Sequence, residues 1–206
     1  ENMSRIPALK CREFLNTPEI SSAQSSSLSS KLARKFLSVS KIVGKSNIIF
    51  TNIKNKKELL RLKKIGNARK ESVFKLNLNK NKTCILDPNS KKTLTPATAR
   101  KFGYFIFGGI LGNYPPEKRT KRLLTEQLKF KSFNIGKKQM STDNAVLAVK
   151  LIADGIPLEK IKFKDNIKIK TGKNEEVILP YRYVVLNGRI FISKELMKNL
   201  KNGKKF

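Results

Sequence analysis

The chain has 206 residues, and its 45 Lys and Arg outnumber its 15 Asp and Glu, which gives a net charge of +30 at pH 7. It has no histidine, so serine triads, Cys-His dyads and histidine-based zinc sites are excluded. A surface this basic attracts polyanions, and nucleic acid or a ribonucleoprotein is the first partner to consider, although biased codon usage also produces chains rich in Lys, Asn and Ile.

The cysteine content and hydropathy bear on the compartment. Cys11 and Cys84 are unclustered, which argues against a disulfide framework or a thiolate metal site and suits a reducing environment. No apolar stretch approaches the ~20 residues that span a bilayer, and no signal peptide leads the chain. We therefore expect a cytoplasmic protein with neither a metal nor a membrane partner.

The N-terminal part of the chain has little regular pattern. Seven of the ten residues at 21–30 are serine, which is typical of a flexible connection. We therefore predict a poorly patterned segment over 1–30, followed by one domain over 31–206.

The first regular element is a helix that ends at Gly44. Leu32, Phe36, Val39 and Val43 share one helical face. The Gly44-Lys45-Ser46 sequence that follows looks like the end of a phosphate-binding loop. That motif requires a glycine where this chain has Val39, so we reject it.

Strand-like and helix-like stretches then alternate along the chain. Predicted strands are Asn47–Ile53, Val73–Leu78, Thr83–Leu86, Tyr104–Phe107 and Lys129–Ile135. Predicted helices are Lys56–Ile65, one that begins at Thr95-Pro96, Pro116–Leu128, and one from Ser141 or Thr142 to Ala153. This alternation predicts an α/β fold, with a mostly parallel sheet covered by helices on both faces.

The region from Lys160 to Ser193 has a different pattern, with short β-like runs and no helix between them. Asn187-Gly188 separates two of these runs and is a strong hairpin signal. A short basic helix and tail follow.

A glycine-rich stretch after Phe107 is the main candidate for a ligand site. Gly108, Gly109 and Gly112 precede two prolines, so the stretch reads as strand, loop and helix. Glycine lets a ligand lie directly on the backbone, and open α/β sheets bind ligands at the carboxyl ends of their strands. These residues fit a tight connection equally well.

Three longer motifs resemble one small family of the SPOUT methyltransferase superfamily. They are Phe107–Thr120, Lys138–Asp143 and Leu179–Val184, and the shorter stretches Cys84–Pro88 and Thr93–Pro96 also fit. This archaeal and eukaryotic family was described as predicted S-adenosylmethionine-dependent RNA methyltransferases, and its yeast member methylates an arginine of a small-subunit ribosomal protein. The resemblance covers about 40–200.

The chain departs from the family pattern at a few positions. It has Gly112-Asn113 where the family has Gly-Asp, and Asn144 where the family motif Thr-Asp-Thr ends in threonine. The family's N-terminal block, which contains a histidine, is replaced here by Glu1-Asn2-Met3 and the serine-rich stretch. If that block helps to hold the substrate, this replacement concerns the acceptor rather than the cofactor.

The resemblance implies an α/β fold with a C-terminal trefoil knot, an exception to the rule that chains are unknotted. It also implies that S-adenosylmethionine lies in a pocket made by three loops, chiefly on backbone groups flanked by apolar side chains. The implied cofactor-binding residues are Leu86, Pro88, Phe107, Gly108, Gly109, Ile110, Leu111, Gly112, Asn113, Gly136, Gln139, Met140, Ser141 and Thr142.

Methyl transfer from a sulfonium is an in-line displacement that depends on alignment and needs no metal or covalent nucleophile. A guanidinium acceptor, with a pKa above about 12, needs a carboxylate to orient it and accept a proton. Asp87, Asp143 and Glu117 are the acids near the loops, although Asp143 and Glu117 also suit the first turn of a helix.

Basic residues beside the glycine-rich loop are candidates for substrate binding. Arg119 can reach the cofactor carboxylate or the substrate, and Lys118 and Arg122 are assigned to substrate binding with it. The latter two also suit a solvated basic face.

Three functions follow from these observations. The first is arginine methylation of a ribosomal protein. The second is methylation of ribosomal or transfer RNA, which the +30 charge favours. The third is a non-catalytic module that binds RNA or the ribosome. The resembled family suggests a monomer.

Overall fold

Six parallel strands form one sheet in the computed structural model, which describes residues 12–16, 36–108, 120–172 and 175–201. The strands are β1 (Arg12–Asn16), β2 (Ile48–Thr51), β3 (Asn67–Ala68), β4 (Thr83–Leu86), β5 (Tyr104–Gly108) and β6 (Lys131–Phe133). Their order across the sheet is β3-β2-β1-β5-β4-β6, and every pair is parallel. The predicted α/β class with a mostly parallel sheet is confirmed.

Helices and short turns connect the strands. The helices are α1 (described over 36–43), α2 (Lys56–Lys63), α3 (Pro96–Ala99), α4 (Glu126–Leu128), α5 (Thr142–Ala153) and α6 (Lys194–Lys201). The predicted cap of α3 is confirmed, because the Thr95 side chain accepts a hydrogen bond from the Thr98 backbone N–H and Pro96 occupies the first turn. No helix in the described parts of the chain is long and apolar enough to cross a membrane.

Strand β1 lies inside the segment that shows no regular pattern in the sequence. It pairs with β2 on one side and with β5 on the other, so it is central to the sheet. Its five residues, Arg-Glu-Phe-Leu-Asn, have two adjacent apolar positions and no alternation. The strand depends on its two hydrogen-bonding neighbours rather than on a local signal, which is why sequence analysis misses it.

Two other predictions need correction. The strand predicted over Val73–Leu78 is wrong, because Val73–Lys75 form a 3-10 turn in which the Leu76 N–H bonds back to the Val73 carbonyl. The helix predicted to end at Leu128 contains a π-helical turn over Lys121–Thr125, and its predicted start at Pro116 lies outside the described residues. Lys129 has a positive φ of 53°, so β6 begins two residues later.

A second, antiparallel sheet follows α5. It consists of β7 (Phe163–Lys170), β8 (Glu176–Leu186) and β9 (Arg189–Ile190) in that order. Asn187 and Gly188 both have positive φ, at 49° and 75°, which is the geometry of a two-residue hairpin turn. The predicted hairpin is confirmed.

Alternating residues of the parallel sheet enter two separate hydrophobic clusters. Ile48, Phe50 and Phe105 pack with residues of α1 and α5 on one face. Ile49 and Ile106 pack on the other face, where the Val73–Lys75 turn and the π-helical turn cover them. The sheet is therefore enclosed on both faces, as α/β proteins with parallel strands require.

Gly66 is needed where the chain turns from α2 into β3. A Cβ atom there would lie 2.5 Å from Ile48 Cγ2 and 2.8 Å from Phe50 Cε2, both side chains of β2. We expect Gly66→Ala to lower the free energy of unfolding by about 1–3 kcal/mol through overpacking, measured by urea denaturation. Gly103→Ala is the matched control, because its nearest neighbour would be 4.0 Å away; an equal loss in both variants would contradict the prediction.

Candidate functional site

The three predicted ligand-binding loops follow β4, β5 and β6, so they begin at the same edge of the parallel sheet. Strands β5, β4 and β6 are neighbours, and Leu86 near the end of β4 pairs with Phe107 of β5 and Phe133 of β6. From β1, strands β2 and β3 follow on one side in the sheet, whereas β4 and β6 lie on the other side, beyond β5. Such a change of direction opens a crevice at the carboxyl ends of the strands, where α/β proteins bind ligands.

Asp87 secures the loop after β4. Its side chain is 2% exposed; Oδ2 accepts a hydrogen bond from Thr125 Oγ1 at 2.8 Å, and Oδ1 accepts one from the Asn89 backbone N–H at 2.9 Å. Its own N–H donates to the Phe133 carbonyl at 3.0 Å. Asp87 therefore joins this loop to the π-helical turn and to β6, so its described contacts favour a structural contribution.

Asn134, which is not among the residues predicted from the sequence, also holds the loop after β4. Its Nδ2 donates to the carbonyls of Ser90 and Lys92 at 2.9 and 3.1 Å, while Oδ1 accepts from the Gly136 N–H at 3.0 Å. One buried amide thus connects the loop after β4 to the loop after β6. The partners on the first loop are more than 40 residues distant, which leaves only the Asn-x-Gly spacing as a sequence signal.

The loop after β6 is bound to the antiparallel sheet. The Arg182 backbone N–H of β8 donates to the Gln139 carbonyl at 2.9 Å, and Met140 and Arg182 form a parallel bridge. Gly136 begins the loop with a φ of +97°, a conformation that favours glycine. Asp165 of β7 accepts hydrogen bonds from Arg182 and Lys138, which lower the pKa of Asp165 to about 2.

The first turn of α5 is buried, although it carries polar side chains. Asp143 is 7% exposed; its Oδ1 accepts from the Asn144 N–H at 3.0 Å, and its Oδ2 lies 3.4 Å from the Ser38 hydroxyl of α1. Both carboxylate oxygens of Asp143 therefore have protein partners. Burial raises the pKa of the nearby Tyr183 hydroxyl, and the Asp143 carboxylate raises it further.

Asn144 links three segments through a fully buried side chain. Its Oδ1 accepts from the Val184 backbone N–H at 2.8 Å, and its Nδ2 donates to Ser141 Oγ at 2.9 Å and to the Phe191 carbonyl at 3.2 Å. A threonine, which the resembled family has at this position, offers one hydroxyl and cannot make all three bonds. This departure from the family motif is therefore matched to the packing of α5 against β8.

The described members of the predicted cofactor site all lie at or after the carboxyl ends of β4, β5 and β6. Leu86, Asp87 and Pro88 follow β4, Phe107 and Gly108 end β5, and Gly136 and Gln139–Thr142 lie between β6 and α5. Arg122 is exposed on the π-helical turn. The remaining predicted residues lie outside the described part of the chain: Gly109, Ile110, Leu111, Gly112, Asn113, Glu117, Lys118 and Arg119.

The site has an unsatisfied acceptor. Gln139 Oε1 is buried and has no hydrogen-bond partner among the described residues. A buried carbonyl oxygen without a partner costs free energy, so the position suits a ligand that donates a hydrogen bond. Together with the backbone groups of the loops and the apolar Leu86, Phe107 and Met140, it fits a nucleoside with hydroxyl and amino groups.

The described residues include neither a cluster of metal-ligating side chains nor a reactive thiol. They contain no cluster of three or more Cys, Asp or Glu side chains that could hold a metal ion. Cys84 is fully buried in β4, and burial raises the pKa of its thiol to about 12, so a thiolate does not form at neutral pH.

The sheet order and the loops at its carboxyl edge define an α/β protein with a parallel sheet that binds ligands at the ends of its strands. A dual-specific Trm10 from Thermococcus kodakaraensis shares the fold with a TM-score of 0.56 and 14% identity, over 73% of this chain and 96% of that one. Residues 25–205 match the model of the SFM1-like protein arginine N-methyltransferases, and the chain belongs to this family.

Yeast SFM1 is similar in both sequence and structure. The Saccharomyces cerevisiae protein arginine N-methyltransferase SFM1 is 44% identical over 110 residues, a match that spans 52% of this chain and 52% of the yeast protein. The crystal structure of yeast SFM1 complexed with SAM superposes with a TM-score of 0.81 at 31% identity, over 94% of this chain and 91% of that one. A second structure, with SAH, gives a TM-score of 0.80.

The buried contacts of Asn144 give a testable expectation for stability. Asn144→Ala leaves the Val184 N–H without its partner, so we expect the free energy of unfolding to fall by about 2–4 kcal/mol in denaturant titrations. Asn144→Thr restores one polar group and should lose less. Asn81→Ala is the control, since Asn81 is exposed; a loss below about 0.5 kcal/mol for Asn144→Ala would contradict this account.

Proposed function

We propose that the protein is an S-adenosylmethionine-dependent methyltransferase that methylates an arginine of a ribosomal protein. The observation that carries this proposal is membership of the SFM1-like arginine methyltransferase family over 25–205. It is supported by the similarity to yeast SFM1 complexed with SAM. The arrangement of three loops at one sheet edge is what such a donor requires.

The donor would be held mainly by backbone groups. Residues 86–88, 107–113 and 136–142 would enclose it, and Gln139 Oε1 would accept a hydrogen bond from a hydroxyl or amino group of the nucleoside. When bound, S-adenosylmethionine supplies a methyl group on a sulfonium. The loops of this chain would orient that donor and exclude water, and most of the rate acceleration would come from alignment.

The acceptor guanidinium would need an acid. Asp87, Asp143 and Glu117 are the candidate acids, and the described hydrogen bonds of Asp87 and Asp143 favour a role in holding the loops. We therefore propose Glu117 as the carboxylate that orients the acceptor and takes up its proton. Arg119, Lys118 and Arg122 would bind the substrate.

The net charge of +30 favours a second candidate, methylation of ribosomal or transfer RNA. Phosphates would be attracted to a surface this basic whatever the acceptor is. A non-catalytic module that binds RNA or the ribosome is the third candidate. The first two functions differ in whether the methyl group is transferred to protein or to RNA, and the third transfers none.

A methyl-transfer assay distinguishes the candidates. The protein is incubated with methyl-labelled S-adenosylmethionine and ribosomes that lack this methylation, and the product is separated into protein and RNA fractions. We expect the label in one ribosomal protein, on arginine. Label in RNA would instead establish the second candidate, and a calorimetric titration without donor binding would leave only the third.

Two variants sharpen the assay. Gly109→Val should abolish donor binding and leave the circular dichroism spectrum unchanged, because the valine side chain would fill the space beside the backbone in which the donor would lie. Glu117→Gln should retain donor binding and lose turnover. Gly103→Ala serves as the control, and unchanged donor affinity in Gly109→Val would show that the pocket lies elsewhere.

We also propose that the C-terminal part forms the trefoil knot implied by the SPOUT resemblance. Support comes from the contacts that fasten β8 to the loop and helix after β6. When the unfolded chain is stretched from both ends, a tightened knot should leave it shorter than about 3.6 Å per residue allows. A full contour length would refute the knot.

A cytoplasmic location, expected from the unclustered cysteines and the absence of a long apolar stretch in the sequence, and a monomeric state, expected from the family resemblance, complete the proposal. Ribosomal substrates are accessible in the cytoplasm, and Cys84 is a free, buried thiol, which suits a reducing compartment. Fluorescence imaging of the tagged protein and sedimentation equilibrium test the two statements. Exclusive recovery from an organelle, or a stable dimer, would contradict them.

A further inference from the structure

A cluster of charged side chains joins the antiparallel sheet to the loop that precedes α5. Arg182 Nε donates to Asp165 Oδ1 at 2.9 Å and Arg182 Nη2 donates to Oδ2 at 3.2 Å, which is a two-pronged ion pair. Lys138 Nζ, from the loop itself, donates to the same Oδ2 at 2.7 Å. The Arg182 guanidinium also lies 5.0 Å above the ring of Phe163.

The backbone of the same arginine contacts the loop. Its N–H donates to the Gln139 carbonyl at 2.9 Å, and its Cα is in register with Met140. A Cβ atom at Gly136 would lie 3.6 Å from Arg182 Nη1, so the guanidinium covers the start of the loop. Contacts from one residue of β8 thus reach both ends of the loop 136–140.

The position of Asp165 makes it the central member of the cluster. It is the acid that both cations share, and the side chains of Asp165 and Arg182 are 30% and 22% exposed. In a chain with 45 basic and 15 acidic residues, Lys138 and Arg182 would repel each other without it. Partial burial makes this pair less sensitive to screening than a surface pair, and the bidentate geometry makes it specific.

We propose that Asp165 is a positioning residue for the methyl donor, acting through Arg182 and Lys138 to hold the loop 136–140 in its binding geometry. The proposal rests on the proposed function for the identity of the donor. Asp165 itself is not placed in contact with the donor. Its effect is to order Gln139 and Met140 before the donor arrives, which lowers the entropy lost on binding.

The first test needs no donor. Amide hydrogen exchange is measured by NMR on the free protein, for the wild type and for Asp165→Asn, which keeps the shape of the side chain and removes its charge. We expect the amide of Arg182, bonded to Gln139, to exchange about tenfold faster in the variant. Unchanged exchange would overturn the proposal whether or not the protein binds S-adenosylmethionine.

The matched control breaks another ion pair far from the loop. Lys150 and Asp154 pair at 3.0 Å in the last turn of α5, opposite the end that faces the loops. Asp154→Asn removes a carboxylate that pairs with a single lysine, and we expect it to leave exchange at Arg182 unchanged. Equal acceleration in both variants would mean that general destabilisation is the cause, and the proposal would fail.

The second test measures donor affinity and turnover. Asp165→Asn should weaken the binding of S-adenosylmethionine and of S-adenosylhomocysteine by a similar factor of about tenfold, with kcat at saturating donor within about twofold of the wild type. Lys138→Gln, at a side chain that is 63% exposed, should have a smaller effect in the same direction. Asp165→Glu should restore part of the affinity.

Two results of the second test would contradict the proposal. A loss confined to the cationic S-adenosylmethionine would indicate a direct charge effect rather than positioning. A fall in kcat with unchanged donor affinity would place Asp165 in the chemical step. If the wild type binds no donor at all, the proposed function fails, and the exchange measurement still decides whether Asp165 orders the loop.

Discussion

The whole site depends on buried polar side chains that satisfy the backbone of the loops. Loops that bind a ligand through their own N–H and C=O groups cannot also be held by a regular ladder of backbone hydrogen bonds. In this protein Asp87, Asn134 and Asn144 supply the missing bonds, and each connects segments that are distant in sequence. The bonds are made in a desolvated environment, where an unpaired partner is costly, so they fix the loops strongly.

Loops held rigidly by buried side chains suit methyl transfer in a protein that has no histidine. Displacement at a sulfonium methyl requires that two reactants meet in line, and it asks little of a general base until the proton of the acceptor must leave. A rigid set of loops can therefore contribute more than a reactive side chain. Because Asp87 and Asp143 both have protein partners, they are better suited to rigidity than to proton transfer.

Sequence analysis predicted the elements whose signals are local. The Thr95 cap, the Asn187-Gly188 hairpin and the start of α5 all follow from residues within a few positions of one another. It missed β1, which has no alternation of its own and is stabilised by β2 and β5. It also missed Asn134 and Asp165, since their partners become neighbours only when the sheets assemble. The resemblance to a family located the loops, but the residues that hold them became visible only in three dimensions.

The central place of β1 has a consequence for how the chain assembles during synthesis. β1 leaves the ribosome before β2, β3 and β5; β2 and β3 can join the sheet early, but the other neighbour of β1 is β5, which ends at Gly108. Until β5 is synthesised, one side of β1 has unpaired backbone donors and acceptors, although β1 is an interior strand of the complete sheet. A strand of another protein could pair there. Completion of the nascent structure thus awaits β5, the strand that leads directly into the glycine-rich loop.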